Sequence, residues 1–150
     1  MEYKAIIKSM KEYIMGCPYL DELITTYEND IKSWFLEEGP NHKENISQHY
    51  VDGNTERILR FSFSILLSKS QDLKISIEES GFYELFQSWI EDNNNLRIFP
   101  ILRDGILPLS IELLTTGYFI DLKQVEDIMK YQIQLQFKYE KENEKWNFFH

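Results

Sequence analysis

Cysteine is nearly absent from this chain: among 150 residues only Cys17 carries a thiol. A lone cysteine can neither close an intramolecular disulfide nor supply a thiolate metal cluster. Basic side chains are also short, 16 Lys and Arg against 25 Asp and Glu, which leaves a formal charge of −9. That sign disfavours attraction to phosphate backbones and to anionic lipid, and so argues against a nucleic-acid clamp. No run approaches the roughly 18 apolar residues needed to cross a bilayer. The opening Met1-Glu2-Tyr3-Lys4 leads into an amphipathic period with no signal-peptide apolar core. These absences predict a soluble protein made and kept in a cytosol, without a membrane partner.

Catalytic motifs are missing too. His42 and His49 are separated by a polar loop and a strand start and lack the Cys and His partners of a zinc motif. Glu37-Glu38, Glu78-Glu79 and Glu91-Asp92 are sequence neighbours, so their members diverge on a helix or strand and read as solvated charge. Gly105 and Gly117 belong to no phosphate-binding loop, and no G-x-S-x-G elbow occurs. Cys17 sits between an apolar helix and Pro18 with no basic neighbour to activate it, which predicts a packing role. An enzyme would require folding to bring Asp121, Asp127, Glu56 and His49 together. The sequence predicts no catalytic residue, no cofactor and no metal.

What is present is alternation. In Tyr131 to Tyr139, Y-Q-I-Q-L-Q-F-K-Y, apolar Tyr131, Ile133, Leu135, Phe137 and Tyr139 interleave with Gln132, Gln134, Gln136 and Lys138. Successive strand side chains point to opposite faces, so such a segment buries one face and wets the other. Leu59, Phe61, Phe63 and Ile65 repeat the pattern around Arg60, Ser62 and Ser64; Leu109, Ile111 and Leu113 do so more weakly. One-sided strands need a cover. The predicted fold is α+β, a mostly antiparallel β-sheet with two main helices packed on one face, in a single domain over 1–150.

Apolar spacing at Tyr3, Ile6, Ile7, Met10, Tyr13 and Ile14 predicts a first helix from about Glu2 to Met15. A second carries Phe82, Leu85, Phe86, Trp89 and Ile90 on one stripe, capped by Ser80 and ended by Asn93-Asn94-Asn95. Leu73 to Glu79 reads as a preceding helical turn or short helix. Leu23 to Thr26 and Trp34 to Leu36 read as short strands or extended edges, and Ile46 to Val51 turns through Asp52-Gly53, a type I′ signal, into Thr55 to Leu67. Leu96 to Leu107 reads as a loop, and Leu109 to Ile120 with Ile128 to Glu140 as a closing hairpin across Asp121 to Asp127.

The order and wording of the segments carry a resemblance. V-D-G-N-T-E-R at 51 to 57, I-E-E-S-G-F-Y-E-L-F-Q-S-W-I-E at 77 to 91, I-E-L-L-T-T-G-Y-F-I-D at 111 to 121 and the Y-Q-I-Q-L-Q-F-K-Y strand together resemble the tail terminator family of tailed bacteriophages and prophages. Its members are often labelled minor capsid or tail completion proteins in Gram-positive prophages. The likeness spans roughly residues 15 to 140, and its most specific blocks are S-G-F-Y-E-x-F-x-x-W and T-T-G-Y-x-x-D running on to Y-Q-I-Q. It implies a structural virion protein: a homo-hexameric ring at the tail-head interface that caps the tail tube, ends its polymerisation and meets the head-completion or connector protein. Assembly would occur in the host bacterial cytoplasm. DNA would pass through the ring without specific binding, which an acidic chain suits because like charge repels phosphate.

Two segments are candidate subunit or partner interfaces. Gln132, Gln134, Gln136 and Lys138 form a uniform polar row, able to line a ring or pair across a subunit boundary. Trp146, Phe148 and Phe149 follow the charged run Lys141 to Lys145, and aromatics are enriched among interface anchors. The alternative reading is a small-molecule or protein binding module with an aromatic pocket between helix and sheet, built from Tyr83, Trp89 and Tyr131.

Overall fold

The computed structural model describes residues 4–39, 45–50, 52–122 and 124–143. In chain order its elements are α1 (Ile6–Met15), α2 (Pro18–Thr26), β1 (Ile31–Glu38), β2 (Asn45–His49), β3 (Thr55–Ser68), α3 (Gln71–Glu79), α4 (Phe82–Leu96), β4 (Ile106–Leu113), β5 (Tyr118–Asp121) and β6 (Ile128–Lys141). The fold is α+β, and its six strands form one antiparallel sheet.

The frame is the β3–β6 pair, 14 residues on each strand. Phe61 lies opposite Leu135, Phe63 opposite Ile133 and Ile65 opposite Tyr131, so the two apolar sets share a face. A slip of one residue would turn both sets toward water, and that fixes the register. β1 and β2 pair with different stretches of β3 along its other edge, while β4 and β5 do the same along β6. Side chains from all four helices join the apolar face in a continuous core around Phe61, Phe63, Phe86, Phe137 and Tyr139. Phe63 stacks on Phe86 at 5.4 Å and meets Phe82 at 6.4 Å, joining α4 to the centre of the sheet.

Several local expectations are corrected. Leu23 to Thr26, expected as a short strand or extended edge, is the end of α2, which joins the two main helices and the short α3 over the sheet. Pro18 at its first turn and Asp21 beside the helix N-terminus start a helix that the β-branched run of Ile24, Thr25 and Thr26 does not prevent. α1 begins at Ile6 after Ala5, four residues later than its spacing suggested. Leu85 is exposed, so the α4 stripe narrows to Phe82, Phe86 and Ile90, with Trp89 partly buried at its flank. The β2–β3 turn is not a two-residue type I′ turn. The Tyr50 N–H donates to Asn54 O at 2.8 Å and the Gly53 N–H to Tyr50 O at 3.0 Å, a wider closure than a two-residue turn, with Gly53 at φ 89°.

The expected strand Leu109 to Ile120 is two strands. A register shift between Pro108 and Ser110 bends β4, and 114–117 leave the ladder before β5 begins. At that break Leu114 N–H donates to Gln134 O at 2.7 Å, while the Thr115 hydroxyl accepts from Gln134 N–H at 3.0 Å and so replaces a missing backbone carbonyl. The asparagine run also behaves differently from expectation, since α4 continues to Leu96 and closes on Arg97 at φ 58°. Asn94 donates to Ile111 O at 2.7 Å and accepts from Ile111 N–H at 3.0 Å. Its amide thereby satisfies backbone groups that β4 turns away from β6, and it blunts that sheet edge.

Candidate functional site

The face opposite the helices carries the polar row. Gln132, Gln134, Gln136 and Lys138 lie across from Ser64, Ser62, Arg60 and Ile58 in register, and on the other side Gln132 lies opposite Tyr118 and Gln136 opposite Glu112. The row is not uniformly wet. Gln132 is only 7% exposed and Ser64 is fully buried. The reason is a directional hydrogen-bond relay across three strands. Ser62 donates to Gln134 at 2.8 Å, Gln134 to the Tyr118 hydroxyl at 2.8 Å, Tyr118 to Gln132 at 2.8 Å and Gln132 to Ser64 at 3.1 Å. Each amide uses its oxygen and its NH2 within the chain, and successive bonds of this kind polarise one another.

Toward the other end of β6 the row opens to solvent. Gln136 donates to Glu112 at 3.2 Å, and Lys138 pairs with Glu56 at 3.7 Å. The four residues thus divide into an internally satisfied half, Gln132 and Gln134, and an accessible half, Gln136 and Lys138. Trp146, Phe148 and Phe149 lie outside the described residues. The sequence signal for the relay was the pairing of small hydroxyls with amides, Ser62 and Ser64 against Gln134 and Gln132. It becomes readable only once the β3–β6 register is known.

The candidate acid and base groups do not converge. Glu56 stands opposite Glu140 in the ladder, whereas Asp121 stands opposite Met129. These positions are about eleven rungs apart, roughly 36 Å at the usual strand rise. Asp121 is paired with Lys69 at 3.4 Å and Lys74 at 3.8 Å. His49 ends β2 opposite Thr55, near Glu56, and His42 lies outside the described residues. Cys17 is buried, and burial pushes its thiol pKa up, the opposite of activation. Among the described residues no group of three or more His, Cys, Asp or Glu could hold a metal ion.

The aromatic trio divides. Trp89 meets Tyr13 at 4.9 Å with the rings tilted and stacks on Phe86 at 6.3 Å, within the helical layer. Tyr83 and Tyr131 instead line a cleft of about 260 Å³ together with Ile77, Glu78, Glu84, Thr116 and Gly117. This cleft joins segments far apart in sequence: the α3–α4 corner, the β4–β5 break and β6. A second cavity, about 190 Å³, lies among Tyr19, Leu23, Tyr27, Phe82 and Leu85. Among the described residues no helix is long and apolar enough to cross a membrane.

No protein-family profile, curated protein or solved structure matches this chain.

Proposed function

We propose that this chain is a tail terminator of a tailed phage or prophage, a non-catalytic structural protein that closes the tail tube as a six-membered ring and joins it to the head connector. The observation that best supports this reading is the one-sided sheet. Helices cover one face, and the other presents broad, rigid β-structure whose central polar groups are already satisfied within the chain. Such a surface is suited to holding shape in an assembly. The S-G-F-Y-E and T-T-G-Y blocks add the family resemblance, and the charge of −9 is compatible with DNA sliding through the ring. Gln136 and Lys138, the accessible half of the row, are the proposed contact residues of that face.

The test is genetic and biophysical. In the phage or prophage that encodes this chain, its deletion is expected to yield tails of uncontrolled length that fail to join heads. The purified protein is expected to be a monomer or weak oligomer by native mass measurement and to form a ring of about six copies when mixed with tail tube protein, as a closed heterologous interface does. Normal-length tails attached to heads in the deletion strain would rule this function out. Removing residues 144–150 gives a further arm. If Trp146, Phe148 and Phe149 anchor a neighbour, ring formation weakens while thermal unfolding of the isolated chain stays unchanged.

A further inference from the structure

The cleft beside Tyr131 brings together side chains from the α3–α4 corner, the β4–β5 break and β6. The Tyr131 ring is gripped between Phe119 at 5.1 Å and Phe82 at 6.2 Å, and the residue is 3% exposed. Its hydroxyl lies against Gly117, where any side chain would overlap the phenol ring. Glycine at this position therefore keeps open the space that the hydroxyl occupies. Yet the hydroxyl makes no hydrogen bond with any described residue, although it lines the cleft wall. The phenol ring is buried while its oxygen faces the open cleft, so a group entering the cleft can reach it.

Two carboxylates stand at the same opening. Glu78 and Glu84 line the cleft, and neither makes a hydrogen bond or ion pair with a described residue. Glu78 sits in the last turn of α3, where the helix dipole disfavours negative charge and where no basic residue offsets it. Glu84 approaches from the first turn of α4. Burial, with Glu84, Tyr83 and Glu78 adding to it, raises the pKa of Tyr131, so its hydroxyl stays protonated and neutral. Tyr83 contributes a further aromatic wall. The cleft therefore offers negative charge at its mouth, a neutral oxygen at its base and an aromatic ring at its side, a combination that complements an organic cation bearing N–H donors.

We propose that this cleft binds the guanidinium or primary ammonium end of an organic cation, with the Glu78 and Glu84 carboxylates supplying the charge and the Tyr131 hydroxyl accepting one N–H. The site is independent of the terminator reading. Its volume of about 260 Å³ admits one such end group with its alkyl stem, the size of an arginine side chain, and not a folded domain. The cation can be a free small molecule or a side chain displayed by a peptide, and the two sources share this chemistry.

The test is a titration of the intact protein followed by the amide resonances of Thr116 and Gly117. n-Butylguanidinium and n-butylammonium probe the bare cation, and an acetylated, amidated Gly-Arg-Gly peptide probes a displayed side chain. Saturable shifts are expected up to about 20 mM, the range of weak charge-assisted pairs. The Glu78→Gln, Glu84→Gln double variant, altered only at exposed positions, should weaken binding about tenfold or more, and Tyr131→Phe about threefold. Tighter binding of the peptide assigns the site to a protein side chain, and tighter binding of the free cations assigns it to a small amine or guanidine. Absence of saturable shifts with all three probes overturns the proposal, as does undiminished binding in the double variant.

Discussion

The two faces of the β3–β6 pair are made by alternate residues of the same strands, and they hold together by different means. On the covered face Phe61, Phe63, Ile133, Leu135 and Phe137 have essentially no exposed surface and gain by leaving water. On the open face Ser62, Ser64 and Gln132 are also buried and Gln134 is half-buried, yet their gain comes from a hydrogen-bond relay through Tyr118. Burial alone therefore does not distinguish a core from a surface in this sheet. The distinction lies in what is lost on substitution: packing volume on one side, hydrogen-bond partners on the other.

The largest effect belongs to the covered face. Phe63→Ala removes a ring that touches Phe86 at 5.4 Å, Trp34 at 5.8 Å and Phe82 at 6.4 Å. Rigid neighbours on three sides prevent collapse of the hole, so the expected loss is about 3 to 5 kcal/mol in denaturant unfolding at unchanged slope. Trp89→Ala, at a partly buried position on the flank of the helical layer, should cost less, about 2 kcal/mol. Equal losses for the two variants would show that the core is centred on the helices and not on the sheet.

The open face should answer through its partners. Gln132→Ala takes away the acceptor of the Tyr118 O–H, which still accepts from Gln134, and the donor to the buried Ser64 hydroxyl, and an expected loss of about 2 kcal/mol follows. Because Ser64 is reached only by way of Gln132 in that relay, Ser64→Ala in the Gln132→Ala background should cost far less than it does alone. Strict additivity in this double-mutant cycle would refute the relay.

How far the sequence reveals these faces depends on the range of the interaction. Period-2 alternation exposed both long strands and named the apolar sets correctly, since burial of a strand face is encoded residue by residue. The relay stayed hidden because Gln132 reads as wet until register brings Ser64 and Tyr118 beside it. α2 was missed for a related reason: Ile24, Thr25 and Thr26 favour a strand locally, and packing of Leu20 and Leu23 into the core decides for helix. Asn94 gave a local stop signal but acts on Ile111, seventeen residues away. The cleft beside Tyr131 was half legible, since Tyr83 and Tyr131 were both candidates for a pocket while Glu78 read only as solvated charge.

The covered side has a polar pair of its own, which sharpens the contrast through pH. Asn93 donates to the Tyr13 hydroxyl at 3.0 Å, and burial pushes the Tyr13 pKa up to about 12, opposed by that hydrogen bond and reinforced by Cys17. A raised folded-state pKa means that the unfolded chain releases its proton first, near the ordinary value of 10.0. Stability from this group is complete below pH 10 and is lost as pH climbs toward the folded value. After allowing for partial exposure, the loss should be on the order of 1 kcal/mol. Tyr13→Phe should flatten this alkaline limb. An unchanged limb in that variant would assign the titration to another group.

The smallest effect tests where the open face stops being structural. Gln136 is next in the row after Gln134, but its amide reaches only an exposed Glu112 carboxylate, at 3.2 Å. Water can replace either partner there, so Gln136→Ala is expected to change stability by less than about 0.5 kcal/mol. The same one-residue truncation, made four positions apart on one strand, should therefore differ about fourfold in cost between Gln132 and Gln136. A neutral Gln136 leaves its side chain free to meet another surface, as an assembly contact must. If Gln136→Ala costs as much as Gln132→Ala in the isolated protein, the relay extends to the end of β6 and this face has no spare polar group to offer a neighbour.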